Sequence, residues 1–325
     1  MASKNGQQAN GRRLAIFYEH PEWFKPMFAE LDRRGVPYDR LLAYRHHFDP
    51  AEQRSPYALV VNRMSPSAYM RGHAQAINYT LQFLAYLKMI GANVLNGYDA
   101  YVYEFSKARQ LALLEKLGLR YPRARVVNHI SQINPAAEGL VFPVVVKPNI
   151  GGSGAGIQKF DAPADLAEAA ETGRIDLGLD HLALVQEYLP PRGNSIVRME
   201  VLNGRFLYAI RLHLKSPDTF NLCPADYCDL PDNGMPDGVS GRDLLVEGYT
   251  PPKAVIEAVE RLTAVANIEV GGVEYLINDR DGEVYYYDVN ALSNFVADAP
   301  EVVGFDPFPR LVDFLLARAG LAVPA

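Results

Sequence analysis

The stretch VVVKPNIGGSGAGIQKF, residues 144–160, runs from an apolar segment to Lys147 and then into a loop carrying Gly151, Gly152, Gly154 and Gly156. Two familiar phosphate loops fail here on spacing. A Walker A loop needs Lys-Ser or Lys-Thr directly after the second glycine of G-x-x-x-x-G, whereas Gly156 is followed by Ile157-Gln158. The dinucleotide fingerprint G-x-G-x-x-G also has no match, because Gly152, Gly154 and Gly156 recur at every second residue. Val144 to Lys147 is β-branched and apolar up to the lysine, and Ile157 to Phe160 alternates, so both flanks read as strands. The glycines therefore tip a hairpin instead of opening a helix.

Upstream, short apolar runs alternate with helical patterns. Leu14 to Tyr18, Tyr38 to Ala43, Ala58 to Asn62 and Asn93 to Leu95 read as strands, with helices over Phe24 to Arg34 and Ile77 to Ile90. This is the pattern of a small parallel sheet, in which ligands gather beyond the carboxyl ends of the strands. Those ends are Glu19-His20, Tyr44 to His47 and Arg63. Arg63 has two readings, an anchor for a substrate carboxylate or a plain surface arginine. The next helix, Ser106 to Leu117, carries Leu111, Leu114 and Leu117 on one stripe and stops at Gly118. Lys107 and Arg109 occupy its first turn, where the helix dipole disfavours cations. Lys107 there has two readings, a site marked by a broken local rule or an exposed cation that costs little.

Downstream, a helix is expected near Pro163 to Thr172, another over Pro251 to Ala266 and a closing one over Pro307 to Ala319; Thr250-Pro251 and Asp306-Pro307 serve as cap pairs. In IVRMEVLNGRFLYAIRL, Asn203-Gly204 separates two alternating runs and predicts a two-residue hairpin. That register pairs Arg198 with Ala209 and Ile196 with Arg211, so Arg198, Glu200 and Arg211 share one face. Such a face is either solvated sheet or an anion clamp, for which the planar fork of arginine is suited. A second hairpin, VEYLINDRDGEVYYYDVNALSNF, turns through Asp279 to Glu283. It sets Glu274 opposite Asp288, on the same face as Asn290. A slip of one residue would send Glu274 to the other side. Two carboxylates and an amide oxygen form either a polar sheet face or a hard, oxygen-rich site suited to Mg²⁺.

Composition narrows the partners. The 325 residues suffice for two or three compact units, and 49% hydrophobic with 22% charged residues is ordinary for a globular chain. A formal charge of −6 offers no basic stripe for a nucleic-acid backbone. Residues 1–13 are polar, lack the apolar core of a signal peptide and read as a tail. No apolar run approaches the roughly 18 residues of a membrane span. Cys223 and Cys228 are the only cysteines, so disulfides do not frame the fold and the expected location is the cytoplasm. They are either isolated thiols or half a metal site.

Taken in order, Lys107 before a helix, Lys147 ahead of a glycine hairpin, VQEYLP at 185–190, arginines on the next hairpin, and Glu274 followed by Asp288-Val-Asn290 resemble the ATP-grasp superfamily. Within it the chain looks most like the RimK-like carboxylate-amine ligases. The resemblance implies an α/β ATP-grasp fold. After the 1–13 tail it would comprise a small parallel pre-ATP-grasp domain (14–103), a glycine-hairpin lid subdomain (104–185) and a C-terminal mixed or antiparallel α+β domain (186–325). It implies ATP and Mg²⁺ as cofactors. The backbone of Gly151, Gly152, Ser153 and Gly154 would cover the phosphates, because missing side chains let N–H groups approach an anion closely. Lys107 and Lys147 would meet the α and β phosphates. Gln186, Glu187, Tyr188 and Leu189 would form the adenine hinge, and Asn194 or Ser195 would meet the ribose. Glu274, Asp288 and Asn290 would hold the metal. Arg211, together with Arg198, would stabilise the transferring phosphoryl group, and Arg63 and Asn294 would contact substrate.

The implied chemistry is two-step ligation of small-molecule substrates, a carboxylate and an amine, with amino acids as the candidates. A carboxylate attacks the γ-phosphate to give an acylphosphate and ADP, and an amine then displaces phosphate to form an amide. Neither nucleic acid nor membrane is an expected partner, and oligomeric state is open. Two other readings stand beside it, an ATP-grasp kinase and a nucleotide-binding regulatory protein without turnover. The intact set of lysines, metal ligands and Arg211 argues against the second of these. The sequence departs from the resembled pattern where Ala291-Leu292-Ser293-Asn294-Phe295 replaces the usual Pro-Gly after the metal motif, which leaves the acceptor unidentified.

Overall fold

A computed structural model of the chain describes residues 13–152, 154–214, 220 and 245–322. Ser153, Cys223, Cys228 and nearly all of the 1–13 tail lie outside the described residues.

The first sheet is parallel, in the order β2 (Tyr38–Leu42), β1 (Leu14–Tyr18), β3 (Leu59–Arg63), β4 (Val94–Leu95). Every residue of β1 is buried, as befits a strand covered on both faces. Ala15 and Phe17 pack with Ile77 and Phe83 of α2 (Ala74–Met89). Leu14 and Ile16 face α1 (Lys25–Arg33) and, across it, Leu311 and Leu315 of the last helix, Pro307–Ala319. That last helix starts where Asp306 accepts a hydrogen bond from Phe308 N at 2.9 Å, the expected cap. It is tied to α1 through Arg34, which reaches Asp313 and the Pro309 carbonyl.

Two helices, α3 (Tyr98–Glu104) and α4 (Lys107–Lys116), lead into the second sheet. Its strands are antiparallel, in the order β5 (Ala124–Val127), β8 (Ala183–Glu187), β6 (Val144–Pro148), β7 (Gln158–Phe160). Val144 pairs with Phe160, so the glycines do tip a β6–β7 hairpin. Helices α5 (Ile133–Ala137) and α6 (Pro163–Glu171) cover one face.

The third sheet is antiparallel, in the order β11 (Leu245–Tyr249), β10 (Arg205–His213), β9 (Ser195–Leu202), β12 (Val270–Ile277), β13 (Val284–Asn290). One face packs Val197, Met199, Val273 and Tyr275 against Val255, Val259 and Leu262 of α7 (Lys253–Val265). That helix begins after Pro252 with no side-chain cap, two residues later than the Thr250-Pro251 pair suggests. The short α8 (Ala299–Val303) and α9 (Pro307–Ala319) complete the chain.

Bulges decide both hairpin registers. On β10 the pairing shifts between Phe206 and Tyr208, leaving Leu207 as an extra residue, after which Ile210 faces Arg198 and Arg211 faces Val197. The expectation that Arg211 shares a face with Arg198 and Glu200 is therefore corrected. In the second hairpin Ile277 pairs with Val284, so the loop begins one residue early, at Asn278. Tyr287 is then extra, and the two offsets cancel: Glu274 faces Asp288 and Gly272 faces Asn290, the expected register.

Candidate active site

The sheets meet around a cleft of about 250 Å³. Lys107, Lys147, Gly151, Gly152, Gly154, Gln186, Glu187, Tyr188, Leu189, Arg198, Glu274, Asp288, Asn290 and Asn294 all border it. Most of the residues singled out in the sequence thus converge, from helix α4 and from the second and third sheets.

Lys107 sits at its helix start because Asn149 holds that turn. The Asn149 side-chain oxygen accepts from Ala108 N at 2.9 Å and Ser106 Oγ at 3.1 Å, and its amide donates to Asp180 at 2.6 Å. Ser106 caps α4 through Arg109 N. The cation that the helix dipole disfavours is compensated across the cleft, where Lys107 Nζ donates to Asp288 Oδ1 at 2.6 Å. Burial works against the Lys107 charge, but Asp288 outweighs it and leaves the pKa above its ordinary value. Reciprocally, burial favours the neutral Asp288, yet the two lysines and Asn290 hold its pKa below normal.

Lys147, on β6, is buried and makes no hydrogen bond or ion pair among the described residues. Burial, reinforced by repulsion from Lys107, pulls its pKa down to about 7. An anion in the cleft would reverse both effects.

Arg198 lies between two carboxylates, donating through Nε to Glu200 Oε1 and through Nη1 to Glu274 Oε1, the latter at 2.9 Å. This flat arrangement requires glycine beneath it: a Cβ at Gly272 would come within 2.8 Å of Arg198 Nη2 and 2.9 Å of Glu200 Oε1. Burial raises the Glu274 pKa; Arg198 opposes that, and Asp288 adds to it. Asn290 donates to Asp288 Oδ2 at 3.1 Å. Two carboxylates and an amide therefore converge on one face, a hard oxygen set that fits Mg²⁺. No cluster of three or more His, Cys, Asp or Glu suited to a metal occurs among the described residues, so any metal here would draw on this mixed set.

Three candidates are not brought to the cleft wall. Arg211 turns away, ion-paired to Glu247 at 3.0 Å and 4.2 Å over the Tyr249 ring. Asn194 is exposed in a left-handed turn at φ 54°. Arg63 is buried just behind the wall, donating to the Ser293 carbonyl. Conversely, the sequence reading missed Glu104, Tyr287, Ser65, Ser67 and Trp23, all of which border the cleft. Glu104 accepts from Ala291 N and Leu292 N, fixing the segment that replaces Pro-Gly. Burial and then Asp288 raise its pKa to about 7. Only the bulge exposes Tyr287, and no motif spacing foretells it. The glycine hairpin also touches the first sheet's loop: a Cβ at Gly152 would lie 2.8 Å from Ser67 Cβ.

No family model matches the chain. Its fold is nonetheless that of the ATP-grasp enzymes. It superposes on a RimK-domain ATP-grasp protein of Sphaerobacter thermophilus with a TM-score of 0.65 and 18% identity, over 93% of this chain and 98% of that one. It superposes equally broadly on the ATP-grasp ligase PsnB complexed with minimal precursor, with a TM-score of 0.64, 18% identity, and 94% and 99% coverage. Among curated sequences it is similar to a D-alanine–D-alanine ligase of Acinetobacter baylyi, 27% identical over 207 residues, which is 61% of this chain and 62% of the relative. The match thus spans less than two thirds of that relative's length. Among the described residues no helix is long and apolar enough to cross a membrane.

Proposed function

We propose that the protein is an ATP-dependent ligase that converts a substrate carboxylate to an acylphosphate and joins it to an amine, releasing ADP and phosphate. The observation that carries this reading is the pairing across one cleft: Lys107 on Asp288, Arg198 on Glu274, and an unpartnered buried Lys147, all beneath a glycine hairpin. Lys107, Lys147 and the hairpin amides would bind the triphosphate, and Gln186 to Leu189 would line the adenine end. The buried Gln186 Oε1, which has no partner among the described residues, is an acceptor suited to an exocyclic amine. Glu274, Asp288 and Asn290 would hold Mg²⁺, which when bound would neutralise phosphate charge and fix the γ-phosphate for attack. Arg198, desolvated and kept charged by Glu200 and Glu274, would stabilise charge developing on the transferring phosphoryl group. The reading divides the chain into functional regions at 14–103, 104–185 and 186–325.

Catalysis on this scheme is positioning and charge neutralisation, with no nucleophilic side chain. The test is a screen of pooled amino acids, small carboxylates and short peptides for ADP release that depends on two partners, with mass detection of the condensed product. A phosphorylated product without an amide would replace the ligase reading with a kinase, and no ADP release with any pair would refute both.

A further inference from the structure

Strand β5 ends the second sheet, and among the described residues no strand pairs with its outer edge. Its register with β8 runs without interruption from Ala124 on Gln186 to Val127 on Ala183, and Glu187 N donates to the Arg123 carbonyl at 2.9 Å. In an antiparallel ladder, alternate residues turn their backbone groups toward the neighbouring strand. This phase commits Arg123, Arg125 and Val127 to β8. It points the N–H and C=O of Ala124 and Val126 outward, where no hydrogen bond reaches them among the described residues.

Exposed edges are usually blunted by a bulge, a proline or a charge set across the strand. Neither proline nor bulge interrupts β5, and its arginines lie back along the sheet instead of across the edge. Arg123 donates to the Gly139 carbonyl at 3.1 Å and Arg125 to the Ala136 carbonyl at 2.7 Å, on the face where Val127 packs against Ile133 and Ala137 of α5. Together with Arg120 they line a groove of about 520 Å³ that reaches Tyr285 of β13 and includes one carboxylate, Glu115. Arg120 is paired with Glu283 at 2.8 Å and Arg123 lies 3.5 Å from Glu187, but both guanidinium side chains stay more than half exposed, and Arg125 has no carboxylate partner among the described residues. On the opposite side of the strand Val126 is 47% exposed. In a chain of net charge −6, one strand thus offers a cationic side, an apolar side and open backbone groups between them.

We propose that the β5 edge is a docking surface for an extended segment of another polypeptide, one in which acidic and apolar residues alternate. The segment adds a strand to the second sheet, exchanging hydrogen bonds with Ala124 and Val126. Its carboxylates lie over Arg123 and Arg125, and its apolar side chains lie beside Val126. A second copy of this chain is a poor occupant, because antiparallel pairing about Arg125 sets two Arg125 side chains opposite each other, and like charges so placed repel. Pro122, two residues before the strand, borders the nucleotide cleft, so one end of the docked segment lies beside the cleft.

The probe is a short fluorescein-labelled peptide alternating glutamate and valine, with blocked ends, titrated with the full chain and followed by anisotropy. Saturable binding with a Kd of about 1 mM or tighter is expected, weakening as salt rises. A lysine–valine peptide should bind at least about tenfold more weakly. Of two glutamate peptides N-methylated at either the valine or the glutamate amides, one should lose at least about tenfold and the other should bind as the unmethylated peptide does, because only alternate amides face the edge. Arg125→Glu should weaken the glutamate peptide by about tenfold and tighten the lysine peptide. Val126→Pro removes one outward donor and no ladder bond, so it should weaken the glutamate peptide by a similar factor while its affinity for the non-hydrolysable ATP analogue AMPPNP stays within about twofold of the parent. If that variant does not fold, Arg125→Glu and the methylated peptides read the same surface. No saturable binding, equal binding of the lysine peptide, or indifference to both methylation patterns would each overturn the proposal. So would a concentration-dependent dimer that Val126→Pro abolishes, which would place a second copy on the edge. The surface does not depend on the ligase reading: failure of AMPPNP to bind the parent would remove that reading and leave the peptide result standing.

Discussion

Replacing Arg198 and Arg211 in turn separates the arginine that the fold buries from the one that the β10 bulge turns outward. Arg198 is held between Glu200 and Glu274, with side-chain exposures of 11%, 1% and 10%. Arg198→Met removes the cation from two desolvated carboxylates. Breaking one buried pair costs roughly 3–5 kcal/mol, because the remaining charge is left uncompensated. Arg211 is a third exposed, with Glu247 half exposed, and such a pair is worth about 0.2–1 kcal/mol. Its contact over Tyr249 adds about 0.5–1 kcal/mol, so Arg211→Ala should cost at most about 2 kcal/mol. Urea unfolding measures both losses. A double variant, Arg198→Met with Glu200→Leu, should recover at least about 1 kcal/mol of the single loss, since one orphaned charge is gone. In the ADP-release assay Arg198→Met should lose about 10²-fold or more in turnover, and Arg211→Ala should stay within about threefold of the parent. A large loss of turnover in Arg211→Ala with unchanged stability would show that its guanidinium reaches the reacting groups, and would refute the register argument.

Three further outcomes are expected. Because Lys107 neutralises Asp288 in the nucleotide-free protein, Lys107→Met should bind Mg²⁺ alone at least about tenfold more tightly than the parent, as followed by thermal shift; an identical Mg²⁺ response would mean that Asp288 is not a metal ligand. Lys147, with its pKa near 7, should take up a proton when AMPPNP binds, since phosphates favour its charged form. That contribution to affinity is complete below about pH 7 and is lost as pH rises through the raised pKa of the complex. Calorimetry in buffers of different ionisation enthalpy should detect uptake at pH 8 in the parent but not in Lys147→Met. Gly152→Val should weaken AMPPNP by holding the hairpin off Ser67, and Ser67→Gly in the same chain should restore part of the affinity; no rescue would mean that the 2.8 Å approach does not govern closure.

Much of the architecture was legible because it rests on short-range patterns: the alternation around the glycine hairpin, the Asp306 cap, and the apolar runs of the parallel sheet. What escaped were single-residue insertions. A bulge has no compositional signature on a strand of apolar and aromatic residues such as FLYAIRL or VYYYDVN, so the sequence could not say that Leu207 or Tyr287 falls out of register. The same kind of feature had opposite consequences. At Leu207 it turned Arg211 away, and at Tyr287 it compensated for a longer loop and kept Glu274 facing Asp288. The facing of Glu274 and Asp288 was thus predicted through two offsets that cancel. Arg63 illustrates the second limit: a strand end is identifiable, but whether its side chain is exposed depends on the segment 292–295, which packs over it from the far end of the chain.

Sequence also assigned charges one at a time, lysines to phosphate and carboxylates to metal, whereas the fold assigns them to each other. Lys107 rests on Asp288 and Arg198 on Glu274, so these two cations are kept extended into the cleft by carboxylates that would meet metal. An unpaired set of four such groups would be expelled toward water or would change protonation, because isolated charges are strongly disfavoured in a desolvated site. Lys147 makes the point by contrast. Among the described residues it alone of the three cleft cations has no carboxylate at hydrogen-bond distance, and it alone of the three has its pKa pulled toward neutrality. The ion pairs therefore hold these side chains in place before any ligand arrives, and nucleotide with metal would exchange these partners instead of creating new charge. Removing the carboxylate from one pair should then impair nucleotide binding even though a carboxylate repels phosphate. Asp288→Asn is expected to weaken AMPPNP in the absence of divalent metal, by letting Lys107 relax out of the cleft. Tighter metal-free binding in that variant would show that Asp288 acts on phosphate only through repulsion, and that the pairing is not what positions Lys107.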